Sequence, residues 1–375
     1  MTDLRANLAG TRVLLVLATS AGGTGRHVRV LSDALCKAGV HVVVACPPST
    51  EERFGFAASG AGYAAVPISG RPHPWHDAQT TTTLRRLGRT ADLVHAHGLR
   101  AGLLAGLAVP RHRPFIVTWH NTVLAEGVGA RLSALLECRV ARRADISLCV
   151  SPDLAERVRA VGGTDVRYAP VSAPPSQPPR RTRNEIRAEL GAGDRPVILT
   201  VARLHPQKGY PWLLEAAGML RDRRPAPLFI AVGEGPSESD LRQEIQRSGL
   251  PVRLLGRRDD VPELLSAAEM LVLPSVWEGS PLAAQEALRA GVPFVGTTAG
   301  GVPALVGDGG VLVPPRDSRA LAEAITKILD DPEHASALRV RAQAAACKLP
   351  TDASVIAEIG QAYNSLLHRA DSSMS

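Results

Sequence analysis

The sequence predicts an α/β protein built from two Rossmann-like domains facing each other across a cleft, and three observations carry that prediction. Short apolar runs alternate with helical stretches along the chain, the pattern of a parallel sheet covered on both faces. The first apolar run leads into a glycine-rich turn and then a helix, the opening of a doubly wound unit whose ligands bind at the carboxyl end of the sheet. Near the midpoint, residues 170–182 read PVSAPPSQPPRRT, a composition that cannot form a core element and that reads as an extended linker. A length of 375 residues suits two such domains. The expected boundaries are 1–169 for the first domain, 170–182 for the linker, 183–350 for the second domain, and 351–375 for a terminal helix with a disordered tail.

Taken in order, a strand from Arg12 to Ala18 leads into Ser20-Ala21-Gly22-Gly23-Thr24-Gly25-Arg26-His27 and then a helix with apolar Val28, Leu31 and Leu35. Gly23-Thr24-Gly25 lacks the third glycine of a dinucleotide fingerprint, which disfavours a redox enzyme. Buried strands are predicted at Val40–Ala45, Ala64–Pro67, Leu93–His95, Phe115–Thr118 and Ile146–Val150, with helices at about 80–89, 99–109 and 128–143. Two of these strands end in histidines, His95 with His97 and then His120. No metal is expected from them, because no carboxylate cluster accompanies them and histidines are common at strand ends. Helix 128–143 carries Arg131, Arg139, Arg142 and Arg143, which reads as a solvated face, with a lipid-facing stripe as the alternative.

After the linker, a strand at 196–201 delivers Arg203 and Lys208 on a loop before a helix at about 210–222. Two permanent cations on such a loop suit a diphosphate, and the guanidinium can grip it with two hydrogen bonds. Strands at 228–232 and 252–255 end in Gly233-Glu234-Gly235-Pro236 and Gly256-Arg257, and a helix at 261–267 follows. A strand at Leu271–Leu273 then opens a loop bearing Glu278 and Gly279, with a helix from about Pro281 to Arg289 and a strand from Val292. Ser280 is placed to cap that helix and Pro281 to occupy its first turn. The unpaired N–H groups there favour a phosphate. Glu278 and Glu286 would be repelled by a phosphate, so they suit the hydroxyls of a neutral sugar. Two helices are expected over 318–347 and a last one over 352–370, with 371–375 disordered.

The totals narrow the classes. Residues 1–180 hold 21 Lys and Arg against 12 Asp and Glu, and the remainder 22 against 24, so the net charge of +7 sits in the first half. A basic surface of this kind faces solvent, an anionic membrane or an acidic acceptor. Nucleic acid is excluded on the scarcity of aromatics, 3% of the chain, and the absence of a recognition motif. No apolar run is long enough to span a bilayer and the start lacks the order of a signal peptide, so a cytoplasmic location is expected. The five cysteines are scattered without a C-x-x-C and read as buried structural thiols.

Glu278, seven residues, then Glu286, followed by Ala287 and Ala290-Gly291-Val292-Pro293 inside a Pro-Ser-x-x-Glu-Gly-x-Pro-Leu string, resembles the paired-glutamate motif of retaining family 4 glycosyltransferases. That family, the group 1 glycosyl transferases, has the GT-B fold, and the resemblance covers almost the whole chain, most specifically residues 200–305. It implies transfer of a glycosyl group from a UDP- or GDP-linked sugar to an acceptor hydroxyl with retention, without metal or other cofactor, by a front-face reaction. Under it Arg203 and Lys208 hold the departing diphosphate, Glu278 the sugar, Glu286 the ribose, and His120 contacts the transferred group. The other implied donor contacts are Gly22, Gly23, Gly233, Arg257, Gly279, Ser280, Pro281 and Leu282, while Thr24, His27 and His97 lie on the acceptor side. The loop Ala299-Gly300-Gly301-Val302-Pro303 resembles the family's sugar-side loop, but Ala304 stands where an acidic residue is usual. The implied partners are a sugar, lipid-linked or small-molecule acceptor and, peripherally, an anionic membrane. A nucleotide-sugar epimerase, a phosphorylase and a catalytically silent sugar-nucleotide binder are the rival readings; the sequence shows no recognisable pyridoxal-lysine motif for the second.

Overall fold

The computed structural model describes residues 7–20, 22–70, 72–122, 127–175 and 177–372. These divide into two compact units, Met1–Ser172 with Pro350–Ser375, and Ala173–Leu349.

The first unit is a parallel sheet with strand order β3-β2-β1-β4-β5-β6-β7. In chain order it runs β1 (Arg12–Leu17), α1 (Gly23–Lys37), β2 (His41–Cys46), α2 (Pro48–Phe54), β3 (Gly62–Ala65), α3 (Pro74–Thr90), β4 (Leu93–His97) and α4 (Leu99–Ala108). It continues with β5 (Phe115–Trp119), α5 (Gly127–Arg143), β6 (Ile146–Cys149), α6 (Pro152–Ala160) and β7 (Val166–Tyr168). Every residue of β4, β5 and β6 is buried, as expected where helices cover both faces of a parallel sheet. The chain's last helix also belongs to this unit. Its Val355, Ile359, Tyr363 and Leu366 join Leu31 and Leu35 of α1 in one apolar core, and the Arg26 guanidinium holds Asp352 at 3.1 Å.

The second unit has strand order β10-β9-β8-β11-β12-β13. It comprises α7 (Arg183–Glu189), β8 (Val197–Val201), α8 (Tyr210–Leu220), β9 (Leu228–Val232), α9 (Glu238–Ser248), β10 (Val252–Leu254), α10 (Val261–Ala267) and β11 (Met270–Leu273). Then come α11 (Leu282–Arg289), β12 (Phe294–Thr297), α12 (Val302–Val306), β13 (Val311–Val313), α13 (Ser318–Asp330) and α14 (Pro332–Ala346); α15 (Asp352–Ser372) is the helix returned to the first unit. Successive strand residues face opposite cores: Leu199 and Leu271 pack with Leu288 of α11, whereas Ile198 and Val272 pack with Leu213 of α8 and Ile325 of α13.

In both sheets the strand order reverses beside the first strand of the unit, between β1 and β4 and between β8 and β11. At such a switch point the loops leaving two neighbouring strands part to opposite faces and leave a crevice at the carboxyl edge.

Several expectations are corrected. β3 begins two residues before the predicted Ala64 and ends before Val66, and β4 extends to His97, so that histidine is a strand residue. Asp371 and Ser372, expected to be disordered, continue α15, and 373–375 lie outside the described residues. Cysteine burial is mixed, with Cys46 and Cys149 buried, Cys36 and Cys138 half-buried and Cys347 exposed. Arg143 does not share the exposed stripe of its helix. Its guanidinium lies 4.8 Å from the Phe115 ring centroid and donates to the Pro110 carbonyl, and burial lowers its pKa.

Candidate active site

At the switch point of the second unit, the loop after β8 carries Arg203 and Lys208, and the loop after β11 carries Glu278. The two loops are stitched together by backbone. Val276 N–H donates to the Gln207 carbonyl at 2.8 Å, and the Gln207 side-chain amide donates to the Trp277 carbonyl at 3.0 Å. Gly209 makes this approach possible: at φ 73° it adopts a conformation that other residues avoid, and a Cβ there would stand 1.8 Å from the Pro274 carbonyl oxygen. Gly300 does the same for the loop after β12, where a Cβ would stand 2.0 Å from the Glu278 carbonyl oxygen. The neighbouring Gly301 N–H donates to that oxygen at 2.8 Å.

The result is a fixed charge pair. Lys208 Nζ lies 2.8 Å from each carboxylate oxygen of Glu278, Ser275 Oγ donates to Oε1 at 2.7 Å, and both charged side chains are nearly buried, 13% and 9% exposed. A symmetrical grip on both oxygens leaves Glu278 little rotational freedom, so its orientation is preset. Arg203, by contrast, is exposed and makes no side-chain hydrogen bond among the described residues, so its fork of donors faces outward. Nearby His205 is kept neutral at a lower pH than usual, first by burial and then by the charges of Arg203 and Lys208.

Helix α11 begins one residue later than expected: Pro281 is its N-cap, Leu282 its first residue, and the cap side chain makes no hydrogen bond. The N–H groups of Leu282 and Ala283 are the open end of its dipole, next to Gly279 and Ser280. Glu286, half-buried one turn on, shares this helix with Gln285. Sequence reasoning missed Gln285, which is buried; its amide accepts from Ala173 N–H at 2.9 Å and donates to Ser280 Oγ at 3.1 Å, fixing the helix start against the first residues of the unit. Ser275 was also missed as a participant, although the Pro-Ser-x-x-Glu string contains it.

Two implied donor contacts are placed differently from the rest. Gly233 N–H donates to the Gly256 carbonyl at 2.8 Å, which joins the loops after β9 and β10. Arg257 is exposed and pairs with Asp259 at 3.1 Å, while its neighbour Arg258 is tied to Asp260 and Glu189.

The switch point of the first unit gathers histidines. His97 ends β4, His120 follows β5, and His27 stands on the first turns of α1; all three are buried. His97 Nδ1 lies 3.2 Å from His120 Nε2. The ring centroids are 5.6, 5.4 and 5.5 Å apart for the His27–His97, His27–His120 and His97–His120 pairs. His95 is different. Its two ring nitrogens are both satisfied, by Tyr363 Oη at 2.8 Å and Thr118 Oγ1 at 2.7 Å, so it braces α15 against the sheet. Burial drives all four pKa values down, to about 4 for His27, to about 3 for His95, and well below the usual range for His97 and His120. Gly22 caps α1, exposed, with nothing within 4 Å of where a Cβ would lie, and Gly23 and Thr24 open that helix half-buried.

Comparison with known proteins gives a consistent result. The profile described as glycosyl transferases group 1 matches residues 182–345, and that described as a glycosyl transferase 4-like domain matches residues 22–174. The glycogen synthase of Mycobacterium tuberculosis (strain H37Rv) is 31% identical across 88% of this chain and 87% of its own. A protein of Bacillus subtilis (strain 168) named as a teichuronic acid biosynthesis glycosyltransferase, TuaC, is 32% identical across 75% of this chain and 73% of its own. Among solved structures, Anabaena HepE in complex with UDP and glucose superposes with a TM-score of 0.79 at 20% identity, over 95% of this chain and all of that one. WaaG, a glycosyltransferase involved in lipopolysaccharide biosynthesis, gives 0.74 at 18% identity, over 93% and 98%. At these identities the structures speak for the fold alone, which is GT-B.

Proposed function

Since the chain belongs to the group 1 glycosyl transferases, we propose that it moves a sugar from a nucleoside diphosphate, UDP- or GDP-linked, to an acceptor hydroxyl with retention at the anomeric carbon. The observation that carries this reading is the Lys208–Glu278 pair held across the switch point with Arg203 open beside it. As the sugar–phosphate bond breaks, negative charge grows on the leaving diphosphate. Lys208 and Arg203 stabilise that charge, and the N-terminus of α11 adds its N–H groups. These groups do the work that a divalent cation performs in other transferases, so no metal is needed for the donor. Glu278, already oriented, accepts hydrogen bonds from the sugar hydroxyls, and Glu286 takes the ribose. His120, neutral through burial, hydrogen-bonds the transferred sugar. With no carboxylate assigned as nucleophile, the leaving phosphate takes the acceptor's proton on the same face of the sugar.

Named relatives that use UDP-galactose and GDP-mannose support both donor classes. We assign the acceptor to cell-surface glycolipid or polysaccharide, or to a glycosylated metabolite. Arg111, Arg139 and Arg142 line a groove of about 220 Å³ between α4 and α5, and Leu107, Leu132 and Leu135 are exposed on the same two helices. A basic and apolar surface of this kind suits peripheral contact with an anionic membrane. No helix among the described residues is long and apolar enough to cross one. Sedimentation with vesicles containing anionic lipid should pull down the wild type and release the Arg139→Glu/Arg142→Glu variant; equal binding by the two removes the membrane from the account. The reaction itself is tested by NMR of the product's anomeric configuration, with EDTA present throughout. Retention and undiminished rate are expected, whereas inversion, or loss of activity with the chelator, rules out the proposed chemistry.

A further inference from the structure

The three histidines at the first unit's switch point make an arrangement that sugar transfer alone does not require. One ligand-capable atom from each of His27, His97 and His120 lies within 4.8 Å of the others, and their rings form a nearly equilateral triangle of centroids. Two nitrogens in the group are buried and have no hydrogen-bond partner: His27 Nε2, and His97 Nε2, the ring nitrogen other than the Nδ1 that faces His120. Buried polar atoms without partners are rare and call for an explanation. Elsewhere in the same layer His95 shows what a structural histidine looks like, with both nitrogens paired.

We infer that His27, His97 and His120 form a binding site for a divalent transition-metal cation of the zinc class. Zinc takes imidazole nitrogens at about 2.0–2.1 Å, so tetrahedral donors stand roughly 3.3 Å apart. His97 Nδ1 and His120 Nε2, at 3.2 Å, already have that spacing, and a ring nitrogen of His27 lies within 4.8 Å of the group. Burial keeps the imidazoles neutral, the form that ligates. Three nitrogen donors without a carboxylate select zinc or cobalt and reject magnesium, which takes oxygen. Among the charges acting on His27, Arg26 disfavours positive charge more than the Asp352 carboxylate favours it. On the proposed function, an ion here engages His120 and takes it from the transferred sugar, so the site is inhibitory.

The test is titration of the metal-free protein with Co²⁺, read by visible absorption, and with Zn²⁺, read by calorimetry. Expected are one equivalent of Co²⁺ with an intense tetrahedral spectrum, displacement by Zn²⁺, no response to Mg²⁺, and at least a 100-fold loss of affinity in His27→Gln. His97→Gln provides a second variant, and circular dichroism establishes that each is folded. The exposed, stacked His73–His76 pair is the competing location. Binding that persists in both folded variants, binding lost instead in His73→Ala/His76→Ala, or no binding by the wild type overturns the proposal. Turnover is measured separately with Zn²⁺ present. Because affinity and rate are separate readouts, failure of the metal site and failure of the role given to His120 are distinguishable.

Discussion

Lys208→Ala is expected to lower turnover by about 100-fold or more and to lower stability as well, whereas Arg203→Ala should cost a similar factor in turnover with little change in melting temperature. The rate effect follows from removing one fixed positive charge from a leaving diphosphate in a site where charge develops in the transition state. The difference in stability follows from burial. Lys208 is bound to a carboxylate that is 9% exposed on its side chain, and deleting one partner of such a pair leaves the other buried and uncompensated. That loss is typically about 3–5 kcal/mol, softened here by Ser275, which still donates to Glu278. Arg203 is exposed and makes no side-chain hydrogen bond among the described residues, so its removal leaves nothing orphaned. Steady-state kinetics and thermal melts on the two variants check both halves. Near-normal turnover in Arg203→Ala would mean that the leaving group is stabilised by other means.

The second large effect is on stability in mild acid. Four buried histidines of the first unit have pKa values lowered primarily by burial. In the unfolded chain the same groups titrate near 6.5. Their folded pKa values lie below the unfolded ones, so as pH falls the unfolded chain takes up protons first. The stability they confer is therefore complete above about pH 6.5 and drains away as pH drops toward the folded values, about 4 for His27 and about 3 for His95. Each histidine can contribute up to about 1.4 kcal/mol for each pH unit in that window, so two units below neutrality the total is of the order of several kcal/mol. Carboxylates titrate mostly lower, which makes pH 6.5 to 5 the diagnostic interval. Protection of the β4 and β5 amides, taken as the observed hydrogen-exchange rate relative to the intrinsic rate at each pH, should fall steeply there, and less so in His95→Gln. Unchanged protection across that interval would show that the histidines are charged or hydrated in the folded protein.

How far the sequence led to this picture depends on how local each signal is. Strands such as Leu228–Val232 are buried at every residue and announce themselves as unbroken apolar runs. Arg203, Lys208, Glu278 and the glycine loops could be picked out because each follows a strand, and a strand's carboxyl end in an α/β sheet is where ligands bind. The short elements were harder. β13 has three residues, too few for a period to show, and α2 starts at Pro48, where Pro47-Pro48 looks like a turn although proline suits a first helical turn. Helix α7 carries a readable sign, the Thr182–Glu185 capping box, but it directly follows the proline-rich stretch and is absent from the elements predicted from the sequence.

The pairing of Lys208 with Glu278, and the meeting of His27 with His97 and His120, have no local signature. Both depend on strand order, which places β11 beside β8 and β4 beside β1 although the chain between them builds other strands first. Strand alternation alone puts His95 and His97 on one face of β4, but it cannot show that a helix residue, His27, completes the group.

The most direct measurement is calorimetric titration of the wild type and Lys208→Ala with UDP, GDP, ADP and TDP, each with EDTA and again with magnesium. The account predicts that one of these diphosphates binds the wild type equally well in both conditions, and at least tenfold more weakly to the folded variant. If none binds, or if binding requires magnesium, the metal-free donor site at Arg203, Lys208 and Glu278 is wrong.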